Sequence, residues 1–253
     1  MWKGIDVSDN QGVVAWDQVK AAGCQFAVLR SIRRSGKVDN QFEANLNGCI
    51  NANIPVSVYK YTYAASPEAA VIEAKQVVEL LKKNNLNTIV WWDVEDRDAL
   101  AGIGSVKLTA SVKAAEKTIT EAGYKFGIYT GLYVYKESWF DFGQFSCPLW
   151  IARYPSSTVK TLDTSPDEKF RPNVGRAIWG WQYSSNGSVP GISTKVDIDL
   201  CYKDPKEHFT NIPSKNQNQY VVTIDNINYA AVQEIQKKLS EIMLEGVVYQ
   251  KVI

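Results

Sequence analysis

The chain has 253 residues, of which 45% are hydrophobic and 22% charged, with a net charge of +1. That is room for one large α/β domain, or a domain with a small appendage, and the balanced charge excludes long basic tracts for nucleic acid and an acidic tail. A single histidine, His208, and four scattered cysteines without a C-x-x-C (Cys24, Cys49, Cys147, Cys201) argue against a His-based metal site, a Ser–His triad or a disulfide framework.

Short apolar runs alternate with amphipathic patterns from the N-terminus onward. Met1-Trp2-Lys3-Gly4-Ile5-Asp6 lacks the apolar stretch of a signal peptide, and no apolar run is long enough to span a bilayer. The expectation is a protein made in the cytoplasm without membrane insertion. Strands are predicted over residues 4–8, 26–31, 55–63, 88–95, 125–130, 149–153, 177–183 and 195–200. Helices are predicted over 16–22, 42–52, 67–84 and 106–122. In the helix from Pro67, the spacing of Val71, Ala74, Val78 and Leu81 fits a buried stripe, and Ser66 fits its N-cap.

Beyond residue 125 the helical signal weakens, and loops rich in Gly, Ser, Pro and Asp join the last strands. The fold expected is α/β: an irregular TIM-like (β/α)8 barrel over residues 1–207, helix-poor around its last three strands. A polar linker is expected over 208–219. Residues 220–253 read as strand, helix and strand, a small C-terminal βαβ unit too short to be stable alone. Such an appendage would bind the substrate surface or join two copies as a homo-oligomer.

Acids recur at strand ends: Asp6 in Gly4-Ile5-Asp6-Val7-Ser8, Asp93 and Glu95 after Thr88-Ile89-Val90-Trp91-Trp92, and Asp197 and Asp199 in Lys195-Val196-Asp197-Ile198-Asp199-Leu200. The period of two sends the apolar residues toward outer helices and the acids toward the barrel axis. Active sites of such barrels lie at the C-terminal strand ends. Closure makes the first and eighth strands neighbours, so Asp6 and Asp197 should adjoin, with the fourth strand across the mouth. Burying several like charges is costly, and crowding raises carboxyl pKa values. A protonated acid beside an ionised one is the pairing used in glycosidic bond cleavage. Loop capping or pairing with Lys or Arg is the competing role for any single acid.

Aromatics mark the same rim: Tyr59, Tyr61 and Tyr63, then Tyr129, then Trp150 and Tyr154, then Trp179, Trp181 and Tyr183. Flat rings with polar handles suit sugar faces, although core packing competes for each. One parity per strand faces the mouth, and the set expected there is Tyr61, Tyr63, Tyr129, Trp181 and Tyr183.

The chain resembles glycoside hydrolase family 25, the lysozymes of bacteria and phages. The resemblance rests on Gly4-Ile5-Asp6-Val7-Ser8 with Asn10-Gln11-Gly12, Asp93-Val94-Glu95, Tyr129-Thr130-Gly131, Pro148-Leu149-Trp150-Ile151-Ala152-Arg153-Tyr154, Trp181-Gln182-Tyr183, and Val189-Pro190-Gly191-Ile192 before Val196-Asp197-Ile198-Asp199. It covers about residues 1–204 of the chain. It implies a muramidase that cleaves peptidoglycan between N-acetylmuramic acid and N-acetylglucosamine without metal or cofactor. Glu95 would be the general acid, and Asp93, Asp6 and Asp197 the accompanying catalytic aspartates. Trp150, Gln182 and Asp199 join the candidate substrate contacts; Asp199 ranks below Asp197, because the family usually has Asn there. Lys60 stands where the family often has His, and Arg30-Ser31-Ile32-Arg33-Arg34-Ser35-Gly36 departs from its pattern. Arg33 or Lys60 could meet a carboxylate of the glycan or its peptide, with solvated charge as the alternative.

A wall hydrolase without a signal peptide fits an endolysin released through a phage pore. Two other readings remain open. A chitinase-like retaining glycosidase is one, although the longer D-x-x-D-x-D-x-E run is absent. A non-catalytic glycan-binding barrel is the other.

Overall fold

The structure, a computed structural model, describes residues 1–209. The expected βαβ unit over 220–253, and all but two residues of the expected linker, lie outside them. Eight strands close into one barrel in chain order: β1 (Trp2–Val7), β2 (Phe26–Arg30), β3 (Val56–Tyr61), β4 (Ile89–Asp93), β5 (Lys125–Gly131), β6 (Leu149–Ala152), β7 (Gly180–Gly187) and β8 (Val196–Cys201). Outside them pack α1 (Trp16–Ala21), α2 (Phe42–Asn51), α3 (Pro67–Lys83), α4 (Arg97–Leu100), α5 (Ser105–Glu121) and α6 (Leu132–Lys136). Between β6 and β7 the connection carries only a 3-10 turn at Glu168–Phe170.

β1 to β7 run parallel to their neighbours, but β8 is antiparallel to both β7 and β1. This departs from the all-parallel (β/α)8 expectation. The cause is length: eight residues, 188–195, separate β7 from β8, whereas a parallel return needs a crossover of roughly a dozen or more. The reversal exchanges the ends of β8. Its start, not its end, lies at the mouth formed by the C-terminal ends of the other strands.

Side-chain alternation sorts two layers. Ile5, Val7, Val58, Trp92, Val94, Ile128, Ile151, Trp181, Tyr183, Ile198 and Leu200 face outward and pack with the helices. Inside, Phe26, Val28, Ile89, Trp91, Tyr129, Trp150 and Trp179 fill the barrel. The rings fit because glycines face them in register: Gly4 opposite Phe26, Gly127 opposite Trp91, Gly180 opposite Trp150. A Cβ on Gly4 or Gly127 would lie 2.5 Å from its neighbour. Trp91 anchors this floor, with its ring 4.7 Å from that of Trp179 and its Nε1 donating to Ser57 Oγ at 3.2 Å.

The four predicted helices form as α1, α2, α3 and α5, whereas the short α4 and α6 were not predicted. Ser66 Oγ caps α3 by accepting from Ala69 N, and Ala74, Val78 and Leu81 are buried on its inner stripe. His208 and Phe209, expected in the linker, instead belong to the barrel. Phe209 packs edge-on to Phe26 at 5.4 Å, and the His208 carbonyl accepts from Ile89 N. An apolar ring with an aromatic socket beneath it gains more there than in water.

Gly127→Ala should drive a methyl into the immobile Trp91 ring. The expected cost is about 1–3 kcal/mol of overpacking, read as a lower denaturation midpoint with an unchanged slope; an unaltered midpoint would contradict this account of the floor.

Candidate active site

The barrel mouth holds a cleft of about 320 Å³. Its acids are Asp6 from β1, Asp93 from the end of β4, Glu95 two residues beyond, and Asp197 from the start of β8. Asp6 and Asp197 are directly paired across the β1–β8 ladder. Asp6 is 6% exposed and Asp93 3%. The extension through Val94 to Glu95 is pinned from both sides: Val94 N donates to Tyr129 O, Thr62 N to Asp93 O, Thr130 Oγ1 to Val94 O at 2.6 Å, and Tyr133 OH to Glu95 O at 2.9 Å. Strand geometry thus carries past the formal end of β4 and keeps both acids on one face.

Removal from water controls the acids' ionisation. Burial first, then Asp197 and Asp96, push the Glu95 carboxyl up to about 7. Burial raises Asp197 to about 6. Asp93 is raised well above the carboxylate range by burial, then by Glu95 and Asp6. Asp6 is raised by burial and Asp197, partly opposed by its hydrogen bonds to Gln182 and Asp199.

Gln182 ties the site together. Its Nε2 donates to Asp6 Oδ2 at 2.6 Å, while its Oε1 accepts from Tyr129 OH at 2.7 Å and from Tyr154 OH. Tyr61 and Tyr63, ring centroids 5.0 Å apart, form a wall, and Tyr61 OH donates to Asp96 Oδ2. Trp150, Tyr59 and Arg30 complete the lining with Asn10, Tyr154 and Ser185. Arg30 is held by Asp9 and, at 2.6 Å from Nε, by Asp39.

Of the residues singled out by sequence, the cleft gathers Asp6, Asp93, Glu95, Asp197, Tyr61, Tyr63, Tyr129, Trp150 and Gln182. Five are placed elsewhere. Trp181 and Tyr183 face the outer layer, because the inward parity of β7 is that of Gly180 and Gln182; Trp181 aligns with outward Ile151 and donates its Nε1–H to Arg153 O. Arg33 lies in a turn, its N bonded to Lys37 O, and Arg30 takes the cleft position instead. Asp199 is 1% exposed and sits two register pairs below the Asp6–Asp197 pair at the mouth, because β8 is reversed. Lys60, considered near the glycan groove, points the other way and pairs with Glu73 of α3 at 3.4 Å.

Of the lining residues outside the expected set, Tyr59 and Tyr154 had a legible signal, sharing strand parity with Tyr61 and Trp150. Arg30 ends β2 among three nearby arginines, so choosing it required the register. Asn10, in the 3-10 turn Asp9–Gln11, was legible only as part of the Asn10-Gln11-Gly12 motif, and Ser185, in the irregular second half of β7, carried none.

A second cavity, of about 370 Å³, lies beside Lys82, Leu86 and Tyr124 near the C-terminal ends of α3 and α5; no carboxylate lines it, so it lacks the chemistry of the first.

A family model described as glycosyl hydrolases family 25 matches residues 5–192. The autolytic lysozyme of Clostridium acetobutylicum is 26% identical over 78% of this chain, which spans 55% of that protein. Lysozyme M1 of Streptomyces globisporus is 27% identical over 77% of this chain and 66% of its own length. In fold, the chain is similar to the endolysin catalytic domain of a Listeria monocytogenes bacteriophage. The TM-score is 0.66 at 24% identity, over 82% of this chain and 96% of that one.

A carboxyl whose folded pKa lies above its unfolded value makes the native state bind an extra proton, so its penalty grows as pH rises between the two. For Glu95 that window runs from the unfolded value, about 4.3, up to about 7. Glu95→Gln should therefore match the parent's Tm near about pH 4 and exceed it increasingly toward about pH 8. Parallel Tm curves for the two proteins would show that Glu95 is not desolvated.

Proposed function

The chain belongs to glycosyl hydrolase family 25, and from that premise we propose that it is a lysozyme-type N-acetylmuramidase. It would cut the β-1,4 bond between N-acetylmuramic acid and N-acetylglucosamine in bacterial peptidoglycan, with retention. The observation that carries the reading is Glu95, raised to about 7 among Asp93, Asp6 and Asp197 at the mouth of the barrel. The autolytic lysozyme and the lysozyme M1 among its relatives support this reading.

In this mechanism the protonated Glu95 delivers its proton to the leaving glycosidic oxygen. Positive charge develops at the anomeric carbon, in a site where the aspartates stabilise it. Asp93, in its ionised form, then attacks that carbon to form a glycosyl–enzyme ester as the glycosidic bond breaks, or orients the substrate's own acetamido oxygen to attack instead; either route inverts once and, after water attack assisted by Glu95, retains overall. Asp93 Oδ1 is buried and accepts no hydrogen bond among the described residues, so no protein donor stabilises its charge there. Tyr61 and Tyr63 offer ring faces to the sugars, and Arg30 a cation held by Asp9 and Asp39.

The setting proposed is lysis of the bacterial wall by an enzyme of the endolysin kind, released from the cytoplasm through a phage pore, with an autolysin as the alternative. Among the described residues no helix is long and apolar enough to cross a membrane. For residues 220–253 we propose wall binding or self-association; truncation after Asn211 should weaken wall sedimentation or dimerisation while leaving turnover of soluble glycan intact.

Muropeptides released from Gram-positive walls should end in reducing N-acetylmuramic acid by mass spectrometry; reducing N-acetylglucosamine would overturn the assignment. Glu95→Gln should lower turnover by roughly 10²–10⁴-fold while wall binding persists. The alkaline limb of kcat/KM should titrate near the Glu95 value, about 7, because the acid is active only while protonated. A thio-acetamido substrate and Asp93→Asn separate the two routes: trapping with the first, or a large residual rate with the second, points to acetamide participation.

A further inference from the structure

Beneath the cleft lies a carboxyl that the mechanism does not use. Asp199 projects into the barrel between Gly4 of β1 and Gln182 of β7. Its Oδ1 accepts from Trp150 Nε1 at 3.0 Å. Its Oδ2 is buried and accepts no hydrogen bond among the described residues. The Asp6 carboxyl is within hydrogen-bonding reach. Two carboxylates in contact, sealed from water, cannot both stay ionised. The proton must sit on one of them, and the donors decide which. Asp6 already receives Gln182 Nε2–H. That amide's oxygen accepts from the hydroxyls of Tyr129 and Tyr154, an orientation that turns its N–H toward Asp6. The bare oxygen of Asp199 is therefore the one that needs a hydrogen.

We propose that Asp199 is a permanently protonated carboxylic acid, a positioning residue whose Oδ2–H donates to Asp6 and holds that carboxylate ionised and aimed into the cleft. Asp6 is then gripped from both sides, by an O–H from below and an N–H from β7. Asp199 itself touches no substrate. Its other ionisable neighbours leave it the proton. Asp197 adds like charge, and Cys24, Tyr183 and Cys201 are kept neutral, chiefly by burial. An acid whose protonated form does structural work can be replaced by an amide of the same shape, whereas an acid that must ionise cannot.

Only the activity readout rests on the muramidase reading; the protonation stands apart from it. Asp199→Asn puts an N–H where the O–H was and keeps an oxygen for Trp150. The full chain carrying it should lyse Gram-positive walls within about twofold of the parent, because the hydrogen bond to Asp6 is conserved. Its Tm should match the parent's near about pH 4 and rise above it with pH, since the native parent keeps a proton that its unfolded chain releases. In infrared difference spectra at neutral pH, the C=O band of protonated carboxyls should lose one component in Asp199→Asn, while the contribution of Glu95 stays. Asp199→Leu should lower kcat roughly tenfold or more at unchanged KM, the worth of a charge-assisted hydrogen bond. Should Asp199→Leu not fold, the Asn variant and the infrared band decide.

A Tm difference flat with pH, an unchanged infrared band, or a tenfold loss of lysis in Asp199→Asn would each overturn the proposal. If parent and variants alike released no muropeptides, the function reading would fall, while Tm and infrared would still report where the proton is.

Discussion

Everything in this site depends on like charges being kept out of water. Asp6, Asp93, Glu95, Asp197 and Asp199 crowd one end of a barrel floored by Trp91, Trp150 and Tyr129. In bulk water the same acids would ionise with little mutual effect, because the dielectric screens them. Here burial is the largest cause of every upward shift among them. A protonated Glu95 at neutral pH is thus a consequence of packing before it is a consequence of chemistry.

The floor exists because large rings and glycines alternate around the barrel. Phe26, Trp91 and Trp150 each face a glycine in the next strand, so the interior fills without voids that water could enter. Stability and function pull against each other at the mouth. A desolvated acid weakens the fold above its unfolded pKa, and its raised pKa is what the proposed acid catalysis would use. Aromatic packing below, and the helices anchored by α3 and α5, offset that loss. Lys60 and Glu73 show the opposite solution to buried charge. They pair outside the barrel wall, from where the cation still opposes part of the upward shift of Asp93.

The reversed β8 shapes the site more than any single residue. It brings Asp197 to the rim opposite Asp6 and carries Asp199 a step down, beneath it. In a parallel eighth strand, the order of the two along the barrel axis would invert. One aspartate therefore joins the cleft, and the other supports it from below.

Much of this was legible in the amino-acid order. The amphipathic spacing of α3 and α5, the Ser66 cap, and the alternation of acids with apolar residues are local properties, encoded within a turn or two of chain. That Asp6, Asp93, Glu95 and Asp197 face inward followed from period two alone. Three things did not. The direction of β8 depends on whether its connection can cross the barrel. The parity of β7 is set by its register with β6, so aromatic content pointed to Trp181 and Tyr183 when Gln182 is the inward residue. The choice of Arg30 over Arg33, and the outward turn of Lys60, depend on partners distant in sequence, Asp9, Asp39 and Glu73. The sequence by itself determined which residues could alternate into a cleft. Only the tertiary structure decided which strand ends meet there, because strand pairing and burial are relations between segments that no single segment contains.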